Sequence, residues 1–310
     1  MKKIGILFGM ETAFPEELVR RINAADKSGL TSEYASLGAI TIDQKPDYDV
    51  VLDRISPRIP YYVAALKSAA VNGVRVVNNP FMNCFPDNFF FYNIAKKLDI
   101  PLPRTAILPS KHHPHGVTAD FLRNLQYPLN WDEIFEYVGW PAYLKANSGS
   151  DEFNMYKIYN KSEFFSAYDL TGRNVMLLQQ CVDYNDYFRC FAIGQRDYRV
   201  LHYDPSRPQH LRYKPEPLAE DHPVFAKIRD YSQKIAKAFD LDFNAVDFAV
   251  NGREVVAVDI YNPAPKLERG HLLDENFEWI ADRTADMLIR RASSPAAEKK
   301  FYDKLIDMIR

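Results

Sequence analysis

The stretch that decides the fold is AVDFAVNGREVVAVDIYNPAPKLE, residues 245–268. Two apolar runs flank an Asn-Gly pair at residues 251–252, which is the strongest short-range signal for a β-hairpin. Asp247 lies in the first predicted strand, Asp259 ends the second, and Asn262 follows it closely. If the strands pair across the turn, the two aspartates meet at one end of the hairpin. Their carboxylates and the amide oxygen form an all-oxygen set that suits Mg²⁺, and a cation would relieve the repulsion between the carboxylates.

Composition places the chain among ordinary globular proteins. It has 310 residues, of which 47% are hydrophobic and 26% are charged, enough for a large core and several domains. The net charge is −2 and no long run of Lys and Arg occurs, so no nucleic-acid partner is expected. No stretch reaches the ~18 apolar residues of a membrane helix, so no membrane partner is expected. Cys84, Cys181 and Cys190 lack C-x-x-C spacing and are typical of reduced thiols in a cytoplasmic protein.

The first part of the chain alternates predicted strands and helices. Apolar runs at residues 3–8, 48–53 and 74–77 read as buried strands. Residues 15–25 and 60–72 read as the helices between them. This alternation predicts a small parallel α/β domain with right-handed crossovers.

The remainder mixes antiparallel strands with helices and reads as α+β. Predicted elements include an edge strand between prolines within residues 100–109, a strand pair at 187–193 and 198–203, and a long amphipathic helix at 222–239. We therefore predict a small α/β domain at residues 1–85, a second domain with its connector at 86–180, and a third at 181–310.

Two segments carry polar groups at the ends of predicted strands. Lys145 closes an apolar strand and precedes a small-residue loop with Ser148 and Gly149. Lysine and loop N–H groups at such a place can hold phosphate oxygens, although a solvated strand end is the more common reading. Residues 179–182 follow another apolar strand and can present backbone groups to an adenine edge, or serve as plain structure.

Arginine and lysine side chains supply candidate anion contacts. Arg189 lies inside the apolar strand YFRCFAIG, and a buried arginine must be paired or bind an anion, so both readings stay open. Arg212, Lys214 and Lys266 can meet a carboxylate substrate, or they are solvated surface charges.

A histidine cluster offers a different class of site. His112, His113 and His115 lie in one loop, and clustered histidines can bind Zn²⁺. Because the loop has no fourth ligand in view and is predicted to be exposed, this is the weaker metal hypothesis.

The order of these motifs resembles the ATP-grasp superfamily, near its RimK and glutathione-synthetase branches. The resemblance covers about residues 1–295 and rests on the α/β domain, Lys145 with its loop, the segment 179–182, Arg189, and D-x-x-N-P-x-P at 259–265. It implies an α/β domain followed by two α+β subdomains that bind ATP between them. It also implies activation of a carboxylate as an acyl phosphate, which an amine or thiol then attacks.

The resemblance further implies roles for individual residues. Lys145 matches a lysine that contacts the phosphates and adenine, and Arg189 matches an arginine near the phosphates and the acyl group. The loop over the phosphates, at residues 146–154, contains Ser148 and Gly149. The segment that reads adenine consists of Gln179, Gln180, Cys181 and Val182. The Mg²⁺ ligands are Asp247, Asp259 and Asn262.

Several positions depart from the superfamily pattern. Asn88 stands where many members have a lysine that reaches the nucleotide, and Gly149 is the one glycine of a loop that is usually glycine-rich. Gln180 replaces a glutamate, and Asp259 and Asn262 are spaced as D-x-x-N where E-x-N is usual. These changes support an alternative function, a degenerate ATP-grasp protein that binds nucleotide or a partner without ligase turnover.

The ligase hypothesis implies ATP and Mg²⁺ as cofactors. The implied partners are small-molecule or peptide substrates that supply a carboxylate and an amine. Because dimers are common in the superfamily, a homodimer is also compatible with the resemblance.

Overall fold

The computed structural model describes residues 1–25, 29–42, 44, 46–83, 87–148, 155–214 and 222–293. Its strands are β1 (Lys2–Leu7), β2 (Leu30–Tyr34), β3 (Val50–Asp53), β4 (Arg75–Val77), β5 (Thr105–Leu108), β6 (Ala142–Ala146), β7 (Met155–Ile158), β8 (Met176–Gln180), β9 (Asp186–Ile193), β10 (Asp197–His202), β11 (Phe243–Asn251) and β12 (Glu254–Asp259). Its α-helices are α1 (Ala13–Ala24), α2 (Pro60–Val71), α3 (Pro80–Asn83), α4 (Asn88–Lys97), α5 (Trp131–Val138), α6 (Lys161–Asp169), α7 (Pro223–Ala238) and α8 (Asp274–Ser293).

The chain divides into two compact units, each built from more than one stretch of sequence. The first unit consists of Met1–Phe85, Tyr187–Val246 and Asn262–Arg310. The second consists of Pro86–Asp186 and Asp247–Tyr261. Strand β11 therefore contributes residues to both. The three consecutive domains predicted from the sequence stay a prediction.

The first unit contains a parallel sheet in the order β2-β1-β3-β4. Strand β3 is buried throughout, and the second half of β1 is buried. This burial explains why both strands could be recognised from apolar runs in the sequence. Strand β2 was not predicted. Its sequence LTSEY is mostly polar, and it forms an edge of the sheet with four of its five residues exposed or half-buried.

Hydrophobic cores are built separately in the two units. The larger core of the first unit joins β1 and β3 with α1 and α8, and includes Phe14, Phe191, Phe243 and Phe277. In the second unit, the antiparallel sheet β5-β8-β6-β7 packs against α5 and α6 through residues such as Phe135 and Phe164. Burying aromatic rings of this size contributes about 2–3 kcal/mol each.

A third sheet has the order β10-β9-β11-β12. Strands β9 and β10 pair antiparallel, as do β11 and β12. The turn between the last two strands includes Gly252, whose φ of +60° is favourable for glycine. The hairpin predicted from the Asn-Gly pair is thus present.

These sheets bear out the predicted fold class, a parallel α/β part joined to antiparallel α+β parts. Within the described residues, no helix has both the length and the apolar character needed to cross a membrane.

One ion-pair network connects α1 to α8 in the first unit. Glu17 accepts hydrogen bonds from Arg20 and Arg21, and Arg21 also pairs with Glu278 and Asp282. Arg20 and Arg21 outweigh the effect of burial and lower the pKa of Glu17 to about 2. The Glu17 carboxylate thus stabilises the folded state whenever it is ionised.

We expect Glu17→Gln to lower the free energy of unfolding at pH 7 by about 1–2 kcal/mol, after screening by solvent. Because the folded-state pKa is depressed, this contribution is complete above the ordinary value of 4.5 and is lost as the pH falls towards 2. Urea unfolding from pH 7 to pH 2 measures the difference between the proteins. Glu16→Gln, an exposed change in the same helix, is the control. A difference that does not shrink in acid would contradict the assignment.

Candidate functional site

The two hairpin aspartates lie directly opposite each other. Asp247 of β11 pairs with Asp259 of β12, whereas the next pair along the ladder is Phe248 with Ala257. Val258 is therefore an extra residue, a β-bulge in β12. Directly opposed residues of an antiparallel pair point to the same face, so the bulge places both carboxylates on one face of the hairpin.

Tyr92 of α4 joins this bulge to Lys145 at the end of β6. The Lys145 ammonium donates to the Tyr92 hydroxyl oxygen at 2.8 Å. The Tyr92 hydroxyl donates its one proton to the Val258 carbonyl oxygen at 2.8 Å. All three residues belong to the second unit. The lysine predicted to contact phosphate is thus connected through one side chain to the strand that carries Asp259.

The charges of this cluster also interact. Burial lowers the pKa of Lys145, but Tyr92 and the carboxylates of Asp259 and Asp247 raise it by more, so its net pKa lies above 10.5. Lys145 therefore remains a cation at neutral pH. A cation beside two carboxylates offsets part of their mutual repulsion.

The predicted adenine segment begins at the end of β8. Gln179 is buried and donates to the Thr105 hydroxyl at 3.0 Å, which fixes its orientation. The Gln180 side-chain oxygen accepts from the Arg104 guanidinium at 3.2 Å. Because guanidinium nitrogens only donate, this contact directs the amide nitrogen of Gln180 away from Arg104. The Gln180 side-chain oxygen thus already accepts one hydrogen bond.

The two residues after β8 are half-buried. The backbone N–H of Cys181 donates to the Pro141 carbonyl at 3.0 Å, which ties this segment to the start of β6. Burial and the neighbouring Cys181 raise the pKa of Tyr143 to about 12, so this phenol is neutral at physiological pH. Val182 follows as the last residue of the predicted adenine segment.

The predicted phosphate loop is described only in part. Ser148 is exposed at its start, and Gly149 lies outside the described residues, as does the rest of the loop to residue 154. Asn147, which the sequence did not single out, is buried and connects β6 to α4. Its side chain accepts from the Phe89 N–H at 2.9 Å and donates to Asp87 at 3.0 Å.

The first unit contains the second group of candidates. The Arg189 guanidinium stacks on the Tyr203 ring at 3.8 Å from its centroid and donates to the Tyr213 hydroxyl at 3.3 Å. Arg212 donates to the Tyr203 hydroxyl at 3.3 Å and to the Arg207 carbonyl at 3.0 Å. The two arginines predicted as anion contacts therefore share one tyrosine.

Other candidate residues of the first unit have different surroundings. Asn262 is anchored through its backbone, whose N–H donates to the buried Asn244 side chain at 2.8 Å. Lys266 is exposed and donates to Gln209 at 3.2 Å. Lys214 is half-buried.

The histidine hypothesis receives no support. His112, His113 and His115 are exposed, and the part of the chain that the structure describes has no group of three or more His, Cys, Asp or Glu side chains able to hold a metal ion.

Cys190 is buried, and its burial raises the pKa of the thiol to about 12, which excludes a thiolate nucleophile there.

Asp247 and Asp259 fit a hard divalent cation. They supply carboxylate oxygens on one face, and Mg²⁺ is commonly held by one or two carboxylates together with phosphate oxygens and water. Asn262, the predicted third ligand, belongs to the other unit and stays a sequence prediction.

Tyr92 and Arg104 are site residues that the sequence reading missed. Tyr92 stands four residues after Asn88, so both residues lie on the same face of α4. Because Asn88 is the position at which the superfamily pattern has a lysine, the pattern indicated the helix face that carries Tyr92. Arg104 follows Pro103 in a connector and carried no signal of its own.

No protein-family model matches the sequence, and neither does any curated protein. Several solved structures are similar in fold. D-alanine--D-alanine ligase from Bacillus anthracis complexed with ATP aligns with a TM-score of 0.67 at 15% identity, over 94% of this chain and 97% of the other. VanG D-Ala:D-Ser ligase from Enterococcus faecalis aligns with a TM-score of 0.67 at 12% identity, over 94% and 99%.

A RimK domain ATP-grasp protein from Sphaerobacter thermophilus aligns with a TM-score of 0.65 at 16% identity, over 93% of this chain and 99% of the other. The alignments span nearly the whole of each chain, so the similarity covers the complete fold. The resemblance inferred from the sequence motifs is confirmed at this level: the chain has the ATP-grasp fold.

Proposed function

We propose that this protein is an ATP-dependent ligase that joins a carboxylate to an amine, or to a thiol, through an acyl phosphate. The observation that carries the proposal is the cluster of Lys145, Asp247 and Asp259 in an ATP-grasp fold. A cation and two opposed carboxylates are the groups needed to bind a triphosphate together with its metal ion.

In the proposed reaction, a carboxylate oxygen of one substrate attacks the γ-phosphorus of ATP, and ADP leaves with the electrons of the broken bond. The amine nitrogen of the second substrate then attacks the acyl carbon. Inorganic phosphate departs and the nitrogen loses a proton. Charge develops on phosphate oxygens in the first step and on the acyl oxygen in the second.

The residues have distinct proposed roles. Asp247 and Asp259 hold Mg²⁺, with Asn262 as the third ligand implied by the sequence. Mg²⁺, when bound, neutralises charge on the phosphate oxygens. Lys145 contacts phosphate, together with Ser148 and Gly149 of the adjoining loop.

Gln179, Gln180, Cys181 and Val182 are proposed to line the adenine. Arg189 and Arg212 are proposed as anion contacts for the reacting carboxylate and its phosphorylated form. The stacked, planar Arg189 is suited to a carboxylate or phosphate, since its guanidinium is already oriented by Tyr203.

The substrate class follows from chemistry and from similar structures. Two of the structures similar to this chain are ligases whose names specify alanine or serine as substrates, and another is a RimK domain protein. We propose amino acids or short peptides as the sources of both carboxylate and amine, in a cytoplasmic protein that acts as a monomer or homodimer.

The experiment is an ADP-release assay with Mg²⁺-ATP and a panel of amino acids and dipeptides, repeated with hydroxylamine. Hydroxylamine intercepts an acyl phosphate and gives a hydroxamate. We expect ADP release that depends on a carboxylate, and hydroxamate formation with the same substrate. Nucleotide binding without ADP release for any member of the panel would favour the degenerate, nucleotide-binding alternative that Asn88 suggests.

A further inference from the structure

Tyr92 contacts both Lys145 and the bulged residue of β12. The residue is buried, with 5% of its surface exposed. A lysine ammonium carries only donors, so the Tyr92 oxygen must accept from Lys145 and its proton must go to the Val258 carbonyl. The chemistry of the two partners thus fixes the direction of both hydrogen bonds.

The bulge decides where the Asp259 carboxylate points. In a regular ladder continued from the Phe248–Ala257 pair, Val258 would stand opposite Asp247. Asp259 would then be one residue further and its side chain would leave from the opposite face. The extra residue restores Asp259 to the face of Asp247, and loss of the bulge would separate the two carboxylates.

The end of β12 is held to α4 and the connector after it at three places. Tyr92 binds Val258, Phe91 stacks on Tyr261 with ring centroids 4.2 Å apart, and the Ala257 N–H donates to the Pro101 carbonyl at 2.9 Å. Of these three contacts, the Tyr92 hydroxyl alone reaches the bulged residue itself.

We propose that Tyr92 is a positioning residue for the metal and phosphate groups: its hydroxyl fixes the Val258 bulge that aligns Asp259 with Asp247, and it holds the Lys145 ammonium towards them. Only the second part of this role, the positioning of the Lys145 ammonium for phosphate, rests on the proposed function. The alignment of the two aspartates is a property of the protein without nucleotide, and can be tested without turnover.

Tyr92→Phe keeps the buried ring and removes one oxygen. The matched control is Tyr168→Phe, because Tyr168 is also buried in the second unit and its hydroxyl also donates to a backbone carbonyl, that of Pro109. Both variants lose one tyrosine hydroxyl bond to a carbonyl. Tyr92→Phe additionally removes the acceptor of Lys145.

Two readouts on the nucleotide-free protein test the role. The first is hydrogen exchange at the backbone amides of residues 257–260, which we expect to be about 10-fold faster in Tyr92→Phe and unchanged in Tyr168→Phe. The second is the affinity for Mn²⁺ alone as a probe of the carboxylate pair, measured by electron paramagnetic resonance. We expect a roughly 10-fold loss in Tyr92→Phe, the lower range for an outer-shell partner of a metal ligand.

Equal exchange rates in Tyr92→Phe and Tyr168→Phe would overturn the proposal. If Tyr92→Phe does not fold, NMR of the wild type decides: the Tyr92 hydroxyl proton, bonded to the Val258 carbonyl, should exchange slowly with solvent, as should that of Tyr168. A Tyr92 hydroxyl proton that exchanges as fast as that of an exposed tyrosine would also overturn the proposal. Failure of the proposed function shows differently, as wild-type protein that has the slow exchange but binds neither Mn²⁺ nor Mg²⁺-ATP.

Discussion

Replacing Asp259 with asparagine is expected to reduce ligase turnover by about 100- to 1,000-fold, the range for removing one electrostatic contact to a developing charge. Asparagine keeps the size of the side chain and one oxygen, but it lacks the charge that a divalent cation requires. Asp247 is then the one member of the opposed pair that still carries a negative charge beside Lys145. Turnover is measured as ADP release with the best substrate of the panel.

The same variant should retain its folded stability. The change removes the repulsion between Asp259 and Asp247 but also the attraction between Asp259 and Lys145, so the melting temperature without ligands should change little. The melting-temperature increase caused by Mg²⁺-ATP should largely disappear. Asp132→Asn is the control in the same unit, since Asp132 is exposed and pairs with Lys161. An Asp259→Asn variant that still shows wild-type stabilisation by Mg²⁺-ATP would contradict the metal assignment.

Arg189→Lys is expected to lower turnover by about 100-fold while leaving nucleotide affinity within about 3-fold of the wild type. Lysine keeps the positive charge, but it cannot stack flat on Tyr203 or present a planar fork to a carboxylate or phosphate. The effect should therefore fall on the reaction step. Single-turnover ADP formation and equilibrium binding of ATP separate the two quantities.

The matched control for this prediction is Arg199→Lys. Arg199 lies on β10, its guanidinium is near the Trp279 ring at 5.8 Å, and it donates to Asn276 at 2.8 Å, so it also combines an aromatic contact with a hydrogen bond. We expect Arg199→Lys to alter stability alone. An equal loss of turnover in both variants would show that Arg189 acts through the fold and not on the substrate.

The sequence predicted the elements that carry a strong local signal. The hairpin of β11 and β12 follows from the Asn-Gly turn, and the buried strands β1, β3 and β8 follow from their apolar runs. Strand β2 was missed because an edge strand with a mostly polar sequence lacks the alternation of apolar and polar residues that identifies a strand. Its formation depends on pairing with β1, which no local pattern reveals.

The types of residue in the site could be predicted from the sequence, but the contacts between these residues could not. Lys145, Asp247 and Asp259 were named from chemistry and spacing. The bulge at Val258 could not be inferred, because the run VVAVD reads equally well in either register. Tyr92 could not be singled out among 19 tyrosines and 20 phenylalanines, because only its hydroxyl contacts distinguish it.

The most direct test of the central claim is the binding of ATP to the wild-type protein, measured by isothermal titration calorimetry in Mg²⁺ and again in EDTA. The account predicts saturable binding in Mg²⁺ and an affinity at least about 10-fold weaker in EDTA, since the carboxylates of Asp247 and Asp259 then face the triphosphate without a cation. Absence of binding at millimolar Mg²⁺-ATP, or an affinity that does not depend on the metal, would contradict it.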